Sequence, residues 1–134
     1  MRPPWRKRAP RPSAPASAGP PLAVDVERAP YGALVAIKGE LDLATVPRVN
    51  AAFAAEPVAS AGAVVIDLTG VAFMDSTGLG ALVTFERELA ARGGRLVLAC
   101  PEGPARLLLD VTGLAEQLAV FATRAEAEAA ARVR

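Results

Sequence analysis

The stretch VVIDLTGVAFMDSTGLGALV, Val64 to Val83, decides how the chain is read. Its first part is apolar on both sides of a period-two pattern apart from Asp67. That predicts a strand over Ala63–Leu68 covered on both faces. Asp67 and Thr69 read as structural, closing the strand and shaping a turn at Gly70. From Ser76 the period changes. Leu79, Leu82, Val83, Leu89 and Ala90 recur at helical spacing, with Glu86 the one polar residue on that stripe. Arg92 falls in the last turn and Gly93-Gly94 closes the helix. Between strand and helix stand Asp75, Ser76, Thr77 and Gly78, a carboxylate and two hydroxyls at one junction.

Working outward, the same alternation recurs. Upstream, LAVDVE (Leu22–Glu27) alternates apolar and polar residues as a half-buried strand does, and Pro30, Tyr31 and Gly32 mark a turn. ALVAIK (Ala33–Lys38) completes a hairpin. A helix is expected to start near Thr45 as N-cap, with Pro47 in its first turn and Pro57 stopping it. Val46, Val49 and Phe53 share one face. Downstream come a strand, RLVLAC (Arg95–Cys100), and a helix from about Pro104 to Val111 capped by Gly113. A short strand near Leu118–Ala122 follows, and Thr123 opens an alanine-rich helix that reads as a solvated lid. The predicted order is β-β-α-β-α-β-α-β-α. Single strands alternating with helices imply parallel neighbours. The fold class is therefore α/β: one mixed, mostly parallel β-sheet flanked by α-helices, with the hairpin as its antiparallel edge.

Composition narrows the chemistry. The chain has 134 residues, enough for one domain with its own core, and its 4% aromatic content leaves Leu, Val, Ile and Ala to fill that core. With no histidine and one cysteine, it can build no Ser-His-Asp triad, Cys-x-x-Cys pair or zinc cluster from its own residues. Cys100 ends an apolar run and reads as a small buried hydrophobe. No metal site and no cofactor is expected. The net charge of +1 conceals an asymmetry, because Arg2, Arg6, Lys7, Arg8 and Arg11 precede every acid. Taking those five from the 15 basic residues leaves 10 against 14 acids, so the body carries about −4.

Residues 1–21 are rich in Pro, Ala and Ser and show no hydrophobic period. They are expected to form a disordered basic tail, with the folded domain spanning 22–134. The tail lacks the apolar core of a secretory signal, and no apolar run approaches the roughly 20 residues of a membrane span. A cytoplasmic protein with no membrane association and no direct nucleic-acid binding is the expectation.

At the junction, Asp75 and Ser76 are both favoured helix N-caps. That accounts for one polar residue, less well for three in a row followed by Gly78 and Gly80. Each glycine in a helix costs about 0.5–1 kcal/mol relative to alanine. Close approach by a partner, or tight packing against a neighbouring element, explains such a cost. The pattern lacks the lysine of a phosphate-binding loop and the first glycine of a nucleophile elbow. A helix mouth accommodates an anionic group, so a phosphate on Ser76 is compatible with the fold.

LTGVAFMDSTGLGALV, preceded by GELDLAT (Gly39–Thr45) and followed by DVTGL (Asp110–Leu114), resembles the STAS domain of bacterial anti-sigma factor antagonists. The resemblance covers roughly Leu22 to the C-terminus and is most specific over FMDSTGLG. It implies a switch protein. The unphosphorylated antagonist binds an anti-sigma factor that is also a serine kinase, freeing the sigma factor. Phosphorylation of the serine after the motif's aspartate, here Ser76, abolishes binding, and a separate phosphatase resets the switch. The implied partner-binding positions are Asp42, Thr45, Asp75, Thr77 and Gly78, with Thr77 a second candidate acceptor. For Asp42, a plain turn role stands beside the interface role.

Two other readings are weighed against this one. Soluble STAS-type subunits also serve lipid or anion transport assemblies, where Ser76 and Thr77 would form part of a docking surface for an ATPase, without phosphorylation. An enzyme ranks last, because no base stands ready to activate Ser76.

Overall fold

The predicted hairpin is present, and it sets the edge of the sheet. In the computed structural model, which describes residues 22–133, β1 (Leu22–Ala29) pairs antiparallel with β2 (Gly32–Leu41), from Leu22 opposite Gly39 to Ala29 opposite Gly32. The basic tail expected over residues 1–21 lies outside the described residues. Strands β3 (Ala63–Met74), β4 (Arg95–Ala99) and β5 (Ala119–Phe121) then join in parallel, giving the order β1-β2-β3-β4-β5. Apolar runs of β-branched and leucine residues suit such doubly covered strands, and Val64, Val65 and Ile66 are fully buried.

Helices α1 (Val46–Ala54), α2 (Ser76–Ala91) and α3 (Pro104–Val111) share the face that carries the larger core. Val49 and Phe53 of α1 meet Leu79, Leu82, Phe85 and Leu89 of α2 over Val35, Ile37, Val64 and Ile66 of the sheet. Burying each such large aliphatic side chain contributes about 1.5–3 kcal/mol, which makes this face the main source of stability. Cys100 is buried there as well, and burial pushes its thiol pKa up. A one-turn helix that the periodicity did not reveal, α4 (Leu114–Gln117), follows Gly113.

The opposite face is covered by α5 (Arg124–Arg132), which differs from the solvated lid expected of it. Ala127 and Ala131 are buried over Leu34, Val65, Val97 and Ala99. Small side chains let the helix lie close to the sheet, and polar ties complete the seating. The Tyr31 hydroxyl donates to Glu128 at 2.7 Å, and the Arg95 guanidinium donates to the Ala130 and Ala131 carbonyls at the helix's end. Burial, together with the Glu128 carboxylate, raises the Tyr31 pKa well above its ordinary value.

Asp67 is the deepest of these ties. It is buried within β3, yet its Oδ2 accepts from Arg124 Nε at 2.6 Å and its Oδ1 from the Thr69 N–H at 2.8 Å. Burial alone would raise its carboxyl pKa, but the Thr69 bonds and the Arg124 guanidinium outweigh that and hold it below the ordinary carboxylate value. Asp67 is structural, as its position suggested, but it does not close the strand. β3 runs on to Met74, past the turn expected at Gly70. The pairing survives because two irregularities, between Ala36 and Lys38 and between Gly39 and Glu40, let β2 follow it to Leu41 opposite Met74. Gly70 assists, since a Cβ there would lie 2.7 Å from the Lys38 side chain that crosses it.

Candidate functional site

β4 pairs with β3 only as far as Asp67, and among the described residues β1 pairs with β2 only as far as Gly39, so Glu40–Leu41 and Phe73–Met74 continue beyond both as a two-stranded ribbon. The ribbon ends in the two segments singled out from the sequence, Asp42–Thr45 and Asp75–Gly78. Its two ends are joined by the Asp75 N–H, which donates to the Leu41 carbonyl at 3.3 Å. Residues more than thirty apart in sequence are thus set side by side by backbone pairing alone.

On the α2 side, Asp75 is the N-cap, and its Oδ1 accepts from the Gly78 N–H at 3.0 Å. Ser76 occupies the first helical position and is exposed, while Asp75 and Thr77 are half-buried. Gly78 is buried against β2. A Cβ there would stand 2.5 Å from the Leu41 carbonyl oxygen and 2.8 Å from Leu41 Cγ, so packing against the ribbon explains this glycine.

On the α1 side, Asp42 forms a turn. Its Oδ1 accepts from the Ala44 N–H at 3.1 Å and the Thr45 N–H at 3.2 Å. Thr45 stands at the N-cap position of α1, but its side chain caps nothing in that helix, contrary to expectation. Its hydroxyl points back instead, donating to the Glu40 carbonyl at 2.7 Å and accepting from the Asp42 N–H at 3.0 Å. At 4% exposure Thr45 lies beneath the loop and fixes how Asp42 is presented.

Of the six candidate residues, then, Ser76 lies open, Asp42, Asp75 and Thr77 are half-buried around it, and Thr45 and Gly78 support them from below. Sequence reading missed two residues here. Leu43 and Phe73 are large, apolar and 73% and 46% exposed, one in the Asp42 turn and the other on the ribbon. Leu43 carried a signal, an apolar residue inside a turn. Phe73 carried none, because β3 was expected to end before it. No hydrogen bond or ion pair to Ser76 Oγ is found among the described residues. The site displays a hydroxyl group on an acidic, partly apolar surface, a geometry suited to recognition by another protein.

The fold is that of a small STAS-type domain, and the chain belongs to the STAS domain family, whose model matches residues 23–127. An anti-sigma-B factor antagonist of Listeria monocytogenes is 38% identical over 80 residues, which cover 60% of this chain and 70% of that one. Among solved structures, an anti-sigma factor antagonist from Mycobacterium paratuberculosis superposes with a TM-score of 0.77 at 30% identity, covering 90% of this chain and 98% of its own. The Bacillus cell fate determinant SpoIIAA in its phosphorylated form gives a TM-score of 0.61 at 30% identity, covering 84% of this chain and all of its own.

Proposed function

We propose that this chain is an anti-sigma factor antagonist that binds its anti-sigma factor when unmodified and is released by phosphorylation at Ser76. The observation that carries the proposal is an exposed serine at the first position of α2, at a mouth that no side chain at the third position crosses, because Gly78 packs on Leu41. The names of the relatives support the same reading.

In this reading the anti-sigma factor is a serine kinase that docks over Asp42, Asp75, Thr77 and Ser76, with Thr45 and Gly78 holding those residues in place. Phosphorylation adds about −1.5 to −2 charges beside Asp75. Against a partner carboxylate about 6 Å away, that is roughly 1 to 6 kcal/mol of repulsion between water-like and surface-like dielectric limits. About 1.4 kcal/mol is tenfold in affinity, so the lower end of that range already loosens the complex. The helix N-terminus tolerates the anion, and the core contacts of α2 lie on its other side. The fold therefore survives modification, consistent with the likeness to a phosphorylated relative. A phosphatase resets the switch. The proposed setting is the cytoplasm, and no helix among the described residues is long and apolar enough to cross a membrane.

Mass spectrometry after incubation with the kinase and ATP tests the proposal. One phosphate is expected, on Ser76, and none on Ser76→Ala, which keeps its affinity. Ser76→Glu binds weakly. An unmodified Ser76, or full affinity in both the phosphorylated chain and Ser76→Glu, removes the switch from this chain.

A further inference from the structure

Gly78 and Gly80 raise the same question in the sequence, and the structure answers it for only one of them. Gly80 is exposed, and a Cβ built there meets nothing within 4 Å. Alanine would fit and would strengthen the helix. No packing among the described residues explains the missing side chain.

The neighbouring surface supplies a reason. A cleft of about 390 Å³ runs between α1 and α2, with Asn50 and Ala54 on one wall and Ala81, Thr84 and Glu88 on the other. Its floor is the stacked pair Phe53 and Phe85, whose ring centroids are 4.1 Å apart. The helical period places Thr77 on the same line of α2 as Ala81, Thr84 and Glu88, so the cleft begins one turn along the helix from the acceptor site. Gly80 is one turn below Ser76 on the ridge beside that line. At the far end, Arg92 is committed to the Val58 and Ala61 carbonyls, at 2.8 and 3.3 Å. Glu88, which also lines the cleft, has no ion-pair or hydrogen-bond partner among the described residues, so its carboxylate is free to take a cationic side chain.

We propose that the partner of the Ser76 site lies along α2 as well as across its mouth. One of its segments passes over the bare backbone at Gly80, sets an apolar side chain on the Phe53–Phe85 floor and places a lysine or arginine at Glu88. This rests on the phosphoswitch reading above and adds the path and chemistry of the docking segment. A side chain at position 80 would hold that segment away from the helix, and the cleft walls of alanine and threonine leave room for it.

Gly80→Ala separates the two explanations of this glycine, because stability and binding move in opposite directions. Anti-sigma factors of the source organism are purified and titrated by calorimetry against the unmodified full chain, and the one that binds serves as probe. Gly80→Ala is expected to raise Tm by about 2–5 °C and to weaken binding at least tenfold. Ala81→Leu, which fills the cleft, weakens binding at unchanged fold. Glu88→Lys weakens it as well, and flattens its dependence on salt. If Gly80→Ala and Ala81→Leu bind as tightly as the wild type while Ser76→Glu does not, the docking path is wrong and the switch stands. If no anti-sigma factor binds the unmodified chain, both are overturned.

Discussion

Two helices in this molecule begin the same way, and only one of them is left open. α5 is capped by Thr123, whose hydroxyl accepts from the Glu126 N–H at 3.1 Å while the Glu126 carboxylate accepts from the Thr123 N–H at 3.2 Å. This reciprocal box folds a side chain across the helix mouth. α2 satisfies the same two donors differently. Asp75 takes the Gly78 N–H, but the Asp75 N–H goes to the Leu41 carbonyl of the neighbouring strand. β2 thus does at α2 what Glu126 does at α5, and the third helical position is free to be glycine. A fold can thus expose a hydroxyl group without leaving backbone donors unmet, because a tertiary contact replaces the side chain that would have covered it.

Breaking the tertiary half of that comparison should have the largest effect. Gly78→Ala forces a methyl group against the Leu41 backbone, and a loss of about 3 kcal/mol is expected in urea unfolding, at the upper end of overpacking costs. A neutral result would show that the ribbon and α2 part easily.

Asp67→Asn comes next, because it removes the buried anchor of α5 rather than its cap. Arg124 is 43% exposed at its side chain, so the cost should fall below that of a fully buried pair, about 2 kcal/mol. The pH dependence has a definite sign. The folded-state pKa of Asp67 is depressed, so its contribution is present above the unfolded carboxylate value of about 3.9 and is lost as pH falls through the folded value. The wild type should therefore lose stability below about pH 4 more steeply than Asp67→Asn.

The two caps sharpen the comparison at smaller scale. Asp75→Ala and Thr123→Ala should each cost about 1 kcal/mol. Thr123→Ala is expected to leave Ser76 phosphorylation unchanged, whereas Asp75→Ala should slow it, because the mouth of α2 frays. Equal effects of both on phosphorylation would mean that the mouth has no local role. Ser76→Ala is the smallest, within about 0.5 kcal/mol of the wild type in stability, since the hydroxyl is exposed and bonded to nothing described.

Much of this was legible beforehand because it rests on local chemistry. The change of period at Ser76, the pairing signals around Pro30–Gly32 and the punctuation at Gly93-Gly94 each depend on neighbours in sequence, and each element appears where that chemistry places it. The candidate site was legible to the same extent: the acidic, hydroxyl-bearing junction and the GELDLAT turn stand out as residue types. What failed to show was whatever depended on a distant strand. The extension of β3 to Met74 needs two irregularities in β2. The hydroxyl of Thr45 turns away from its own helix because the Glu40 carbonyl is waiting above it. The alanine-rich last helix looked solvated because the residues that seat it, Asp67, Tyr31 and Arg95, are far away along the chain.

The sequence by itself determined the element order, the α/β class, the exclusion of triad and thiolate chemistry, and the presence of a serine at a helix mouth, since periodicity and residue inventory are one-dimensional properties. Three-dimensional folding alone sets the Asp42 and Asp75 segments side by side, packs Gly78 but, among the described residues, not Gly80, and brings Arg124 to Asp67. Those facts depend on which backbone atoms end within a few ångströms of each other, and strand register sets that, not spacing along the chain.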